Sequence, residues 1–115
     1  MEGSMNRNPL LPLTETVYYI LLALMQPAHG YLIMSSVEAM SEGQVRLAPG
    51  TLYGALENLL KQQMIVRVPS SDPRRKVYQI SPLGLQTLAT DAQRMAHMVH
   101  VFEQTREGRR EHEKT

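Results

Sequence analysis

The chain has 115 residues, with twelve Lys and Arg against eleven Asp and Glu, and no cysteine. That length fits one small domain with a modest core. The near-neutral total excludes a histone-like polycation and an acidic tail protein, and the missing cysteines exclude a disulfide framework or a thiolate metal site. Tryptophan is absent and Phe102 is the lone phenylalanine, so aliphatic side chains and eight methionines must fill the core. No apolar run approaches the ~20 residues of a membrane span. Met1 to Pro12 lacks the basic region and apolar stretch of a secretory leader. A cytoplasmic location is therefore expected, with no membrane partner.

The total hides an uneven distribution. Residues 1–43 carry a net −3, residues 44–79 a net +4 and residues 80–115 zero. The positive charge thus forms one central block.

In chain order, residues 1–12, with two prolines and one glycine, read as a flexible arm. Thr14 is a helix N-cap with Glu15 beside the positive helix end. Val17, Ile20, Leu21 and Leu24 mark the buried face of a first helix, with Tyr18, Leu22 and Met25 widening it. Pro27 ends that helix, and His29-Gly30 reads as a tight turn. Ile33, Val37 and Met40 give a second helix its inner face, and Tyr31 is expected to pack between helices. Ser41-Glu42-Gly43 stops it. Gln44 to Leu47 is a link, with Val45 a candidate for a single β-bridge. Pro49 suits the first turn of a third helix, whose inner face is Leu52, Leu56, Leu59 and Leu60. Met64 to Val68 and Lys76 to Ile80 read as two strands of a hairpin, joined by Pro69-Ser70-Ser71-Asp72-Pro73. Ser81 and Pro82 then start a last helix.

That last helix is the most regular element. Leu85, Leu88, Ala92, Met95, Val99 and Phe102 are spaced 3, 4, 3, 4, 3, a heptad seam. Beyond Phe102 the chain is highly charged, and the helix is expected to fray near Gly108.

The fold class implied is mainly α with a small β-hairpin: a winged helix-turn-helix plus a long C-terminal dimerisation helix. The expected organisation is an arm over 1–12, a winged-helix unit over 13–80, a dimerisation helix over 81–107 and a charged flexible tail over 108–115. In a winged helix the third helix enters the DNA major groove. The +4 segment covers that helix and the wing, so pattern and charge point to one face and to double-stranded DNA as partner. A seam of that length implies a partner, most simply a second copy of the chain.

The candidate DNA-binding residues are Gly50, Thr51, Tyr53, Gly54, Asn58, Lys61, Arg74, Arg75 and Lys76. Gly50 and Thr51 sit where backbone N–H groups favour phosphate, and equally where a plain helix start would put them. Gly54 lies on the polar face, where close approach to the backbone is open. Asn58 can read adenine or simply face solvent. Arg74, Arg75 and Lys76 form a basic wing tip suited to phosphates. The dimer-interface candidates are Leu85, Leu88, Ala92, Met95, Val99 and Phe102. Tyr18, Met95, Met98 and Phe102 have two readings, packing or a small-molecule effector pocket between subunits; methionine at helical spacing is more often packing. His97 and His100 share a face, which permits a metal site but fits a polar flank of the seam better. No nucleophile–base pair, phosphate loop or paired catalytic carboxylates appear, so neither an enzyme nor a cofactor is expected.

The motifs Leu13-Thr14-Glu15, His29-Gly30-Tyr31, Pro49-Gly50-Thr51-Leu52-Tyr53, Leu56, Leu59, Arg74-Arg75-Lys76-Val77-Tyr78 and Ser81-Pro82-Leu83-Gly84 together resemble the PadR family of transcriptional regulators. The resemblance runs from about Leu13 to the end of the last helix. It implies a homodimeric winged-helix repressor released by a small molecule or a stress signal, and a phosphate or groove contact through the Tyr53 hydroxyl. Three positions depart from the family's pattern, Ala48 in place of a capping serine, Gln63 in place of a glycine and Val77 in place of an aromatic, and no tryptophan stands on the last helix to sandwich a flat ligand. Two competing readings are a winged-helix adaptor that binds protein rather than DNA, and a metal-responsive repressor working through His97 and His100.

Overall fold

Thr14 starts the first helix, as its sequence position implies. Its backbone is extended and its hydroxyl oxygen accepts the Val17 N–H at 3.1 Å, satisfying one of the donors a helix start leaves free. The computed structural model describes residues 10–114. Most of the arm expected over 1–12 lies outside that range; Leu10, within it, rests partly buried against the core.

Helix α1 spans Glu15–Ala23 and buries Ile20 and Leu21, with Leu24 just beyond it also fully buried. Met25 is 44% exposed. It lies past the helix end, where the 3.6-residue period no longer directs side chains inward. Residues Ala28–His29 form a short strand, β1, that pairs with a later strand. The tight turn expected at His29-Gly30 is thus corrected: His29 is a strand residue and also the N-cap of α2, its Nδ1 accepting the Leu32 N–H at 3.4 Å.

Helix α2, Gly30–Met40, buries Ile33 and Val37, while Met40 in its last turn is exposed. The chain reverses through Glu42 and Gly43, both at positive φ. Val45 forms no bridge. Its N–H donates to the Ser41 hydroxyl at 2.9 Å, a local bond that takes the donor a sheet would have used. Helix α3, Pro49–Lys61, buries Leu52, Leu56 and Leu59, and its N-cap Ala48 makes no side-chain capping bond.

The α3 C-terminus closes tightly. The Gln63 N–H donates to the Leu60 carbonyl and the Met64 N–H to the Leu59 carbonyl, both at 3.0 Å. These are the paired bonds of a Schellman close, with Gln63 held at φ 61°. Strands β2, Ile65–Val68, and β3, Val77–Ile80, pair antiparallel with Arg67 opposite Tyr78. The sheet is three-stranded in the order β1-β3-β2, so the expected hairpin gains β1 on its inner edge through Ala28 opposite Tyr78.

Helix α4 spans Pro82–Lys114. The Ser81 hydroxyl caps it, accepting the Gly84 N–H at 3.0 Å and donating to the Gln63 carbonyl at 2.7 Å. One serine therefore ties the start of α4 to the end of α3. Gly84 sits so close to the Met64 carbonyl oxygen that any Cβ there would collide with it. Asp91, 1% exposed, accepts from the Leu13 N–H at 3.3 Å and from Arg94 Nε at 2.6 Å, pinning the approach to α1 onto α4.

The expected end of α4 near Gly108 is corrected: the helix continues through that glycine to Lys114. Charged pairs one turn apart, Arg106 with Glu103 and Arg109 with Glu113, support the polar turns where packing is absent. The residues expected to form a flexible tail are therefore helical as far as 114. At a rise of 1.5 Å per residue the whole helix is about 50 Å long, which makes up most of the 67 Å long dimension.

Candidate nucleic-acid interface

Every candidate on α3 lies on its outer side: Gly50, Thr51, Tyr53, Gly54, Asn58 and Lys61 are all exposed. The cause is periodicity. Leu52, Leu56 and Leu59 claim the inner face, leaving the positions between them outside. A Cβ built at Gly50 or Gly54 would meet nothing within 4 Å, so an approaching molecule can reach the helix backbone at both.

The wing tip is shaped by its own turn. The Asp72 carboxylate accepts the Arg74 N–H at 2.9 Å and Arg74 Nε at 3.3 Å, and the Ser70 hydroxyl accepts the Asp72 N–H at 3.2 Å. The Arg74 backbone donor, helped by its side chain and by the charge of Arg75, holds the Asp72 carboxyl below its ordinary range. Arg74, Arg75 and Lys76 are all exposed. Behind them Arg67 lies over the Tyr78 ring, 5.7 Å from its centroid, and burial pushes the Tyr78 phenol above its usual range.

These elements meet across a cleft of about 720 Å³ lined by His29, Gly30, Tyr31, Tyr53, Arg74, Arg75 and Lys76. Tyr53 and the three wing cations, 21 to 23 residues apart in sequence, thus face one space. Asn58 does not join them; it borders a separate groove with Leu10, Thr14 and Gln62. Gly50, Thr51, Gly54 and Lys61 line neither, and lie along the open face of α3.

Three residues of the cleft, His29, Gly30 and Tyr31, were not among the candidates. Tyr31, expected to pack between helices, is 67% exposed, and His29 stands beside it. The helix period already held the signal for Tyr31: two residues before Ile33 is about 200° around the helix, on the side away from the core. His29 carried no such signal, because its position depends on the β1 pairing.

The seam on α4 divides. Leu88 is 4% exposed and belongs to the chain's own core, with Ala92 and Met95 half-buried. Leu85, Met98, Val99, Val101 and Phe102 are exposed, Val99 and Phe102 by 59% and 60%. Of the effector candidates, Tyr18 and Met95 share a pocket of about 350 Å³ with Leu13, Glu15, Tyr19 and Asp91; Met98 and Phe102 lie outside it, farther along α4. His97 and His100 are exposed, and no group of three potential metal ligands occurs among the described residues. None of the described helices is long and apolar enough to cross a membrane.

Comparison with known proteins identifies the family and the fold. The family model described as transcriptional regulator PadR-like matches residues 19–90. A curated protein of Streptomyces fradiae, the uncharacterized 37.1 kDa protein in transposon TN4556, is 38% identical over 78 residues, which cover 67% of this chain and 22% of that protein. The chain therefore spans about a fifth of that relative's length. Among solved structures, a PadR family transcription regulator from Clostridium difficile R20291 is similar at TM-score 0.66 and 22% identity, over 80% of this chain and 98% of its own. A PadR-like transcriptional regulator from Bacillus cereus is similar at TM-score 0.64 and 17% identity, over 85% and 96%. At these identities the structures speak for the fold, and the family match for the kind of protein. This chain belongs to the PadR-like family of transcriptional regulators.

Proposed function

We propose that the chain is a DNA-binding repressor that works as a homodimer on a pseudo-palindromic operator, within the cytoplasm. The observation that carries this reading is the shared cleft of Tyr53 with Arg74, Arg75 and Lys76, continuous with the open outer face of α3. Helix α3 enters the major groove, with Gly50, Thr51, Gly54, Asn58 and Lys61 along the DNA. The wing tip and the Tyr53 hydroxyl take flanking phosphates, which fix register rather than sequence. His29 and Tyr31 border the same phosphate path.

Dimerisation uses the outward part of the α4 seam, chiefly Leu85, Ala92, Met95, Val99 and Phe102. Leu88 supports it from the core side. Two heads on a two-fold axis read half-sites about 34–36 Å apart, or a multiple of that. A small molecule in the pocket holding Tyr18 and Met95, completed by Met98 and Phe102 of a second copy, would change the separation of the heads and release the DNA.

The test is selection of a duplex from a random library, followed by titration at increasing salt. Binding that weakens steeply with salt and falls in Arg74→Ala and Arg75→Ala supports the reading. No enrichment of any duplex overturns it in favour of a protein-binding adaptor.

A further inference from the structure

Gly30 occupies a place that a side chain could share only if Tyr53 moved. It is buried at the first residue of α2, and among the described glycines only Gly43 has positive φ. Its backbone is therefore one that any residue can adopt, and conformational freedom does not explain the glycine. Space does. A Cβ at position 30 would collide with the Tyr53 hydroxyl and stand 3.1 Å from its Cζ and 3.5 Å from its Cε1. These three atoms of Tyr53 are the nearest ones, so the first thing a methyl group meets is this ring.

Tyr53 is half exposed, and its hydroxyl has no hydrogen-bond partner among the described residues. Only the packing of its ring decides where the hydroxyl points. We propose that Gly30 is a positioning residue for DNA binding: its missing side chain lets the Tyr53 phenol lie across the start of α2, which holds the hydroxyl in the cleft opposite Arg74, Arg75 and Lys76. The inference rests on the DNA-binding reading above and concerns a residue that does not itself need to touch DNA.

A methyl group at position 30 must push the hydroxyl aside by roughly 1 Å to restore ordinary contact distances. Binding constellations tolerate about 0.5 Å. The obstacle is the far end of a side chain with two rotatable bonds, so the fold itself can absorb the change. An alanine in a first helical turn is also a better helix former than glycine. Affinity and stability should therefore separate.

The experiment is a double-mutant cycle of Gly30→Ala and Tyr53→Ala, read on a duplex selected from a random library by the wild-type chain, with melting temperatures measured in parallel. Gly30→Ala is expected to weaken binding about tenfold, the scale of one lost hydrogen bond to a charged group, with its melting temperature unchanged or raised. In the Tyr53→Ala background the same substitution should change affinity less than twofold, because the group it displaces is gone. Gly30→Ala binding as tightly as wild type overturns the inference, as does Tyr53→Ala doing so. Losses that multiply in the double variant also overturn it, since they show two independent contacts. A sharp fall in melting temperature in both backgrounds makes Gly30 a packing residue and overturns it too. If the wild-type chain enriches no duplex, the DNA-binding reading fails and the inference falls with it.

Discussion

Gln63 is held in the left-handed region at φ 61°, and replacing it with glycine should stabilise the protein. For a residue with a Cβ this conformation costs roughly 1–2 kcal/mol. Glycine escapes that strain but gives the unfolded chain about 0.4–1 kcal/mol more conformational entropy to lose. The side chain is exposed, and the bonds at this residue use its backbone: its N–H to Leu60 and its carbonyl to the Ser81 hydroxyl. Nothing else is lost, so the net gain is about 0.5–1 kcal/mol. For a domain of this size that is a rise of roughly 2–5 °C in melting temperature, measured by calorimetry at one fixed protein concentration because association also shifts the midpoint. Gln63→Val should lower the midpoint, since a β-branched residue fits φ > 0 worst. If the glycine variant melts at or below the wild-type temperature and the valine variant is unchanged, left-handed strain at the α3 close is refuted.

Gly84→Ala should destabilise by about 1–3 kcal/mol through collision with the Met64 carbonyl, outweighing the ~1 kcal/mol that alanine gains in a helix; chemical denaturation at constant protein concentration measures it. Val99→Asp with Phe102→Asp should raise the dimer dissociation constant at least ~100-fold, seen as monomer in sedimentation equilibrium with the helical circular dichroism retained. Burial raises the Tyr78 phenol, so the unfolded chain gives up that proton first. Its contribution to stability is then complete below pH ~10 and is lost as pH rises above it. Melting temperatures between pH 8 and 11 should fall more steeply for wild type than for Tyr78→Phe.

The sequence revealed the helical frame because its signals are local. Thr14, Pro49 and Ser81 announce helix starts by chemistry that needs nothing beyond the next turn. The inner faces of α1 and α3, and that of α2 as far as Val37, follow from spacing alone. The failures share the opposite property. Ala28–His29 is too short to alternate, and becomes a strand only because β3 lies beside it. Val45 looks like a bridge residue until Ser41 takes its N–H. The α4 seam is regular along the sequence, yet Leu88 turns to the chain's own core while Val99 and Phe102 face out, a division set by where the body of the domain ends. The basic cleft was half legible: charge located Arg74, Arg75 and Lys76, but their meeting with Tyr53, His29 and Tyr31 depends on how the wing folds back toward α2.

The near-neutral total with its positive middle returns as the quantity to measure. Each phosphate contact contributes about 0.9 to the slope of log affinity against log salt on duplex DNA. In the proposed complex the wing tip and Tyr53 lie on that backbone. The direct measurement is this slope for wild type and for a variant carrying Arg74→Ala, Arg75→Ala and Lys76→Ala, on one selected duplex by fluorescence anisotropy. Weaker binding and a slope shallower by about 0.9 for every contact removed are expected. An unchanged slope with unchanged affinity would contradict that placement and move the DNA off this face.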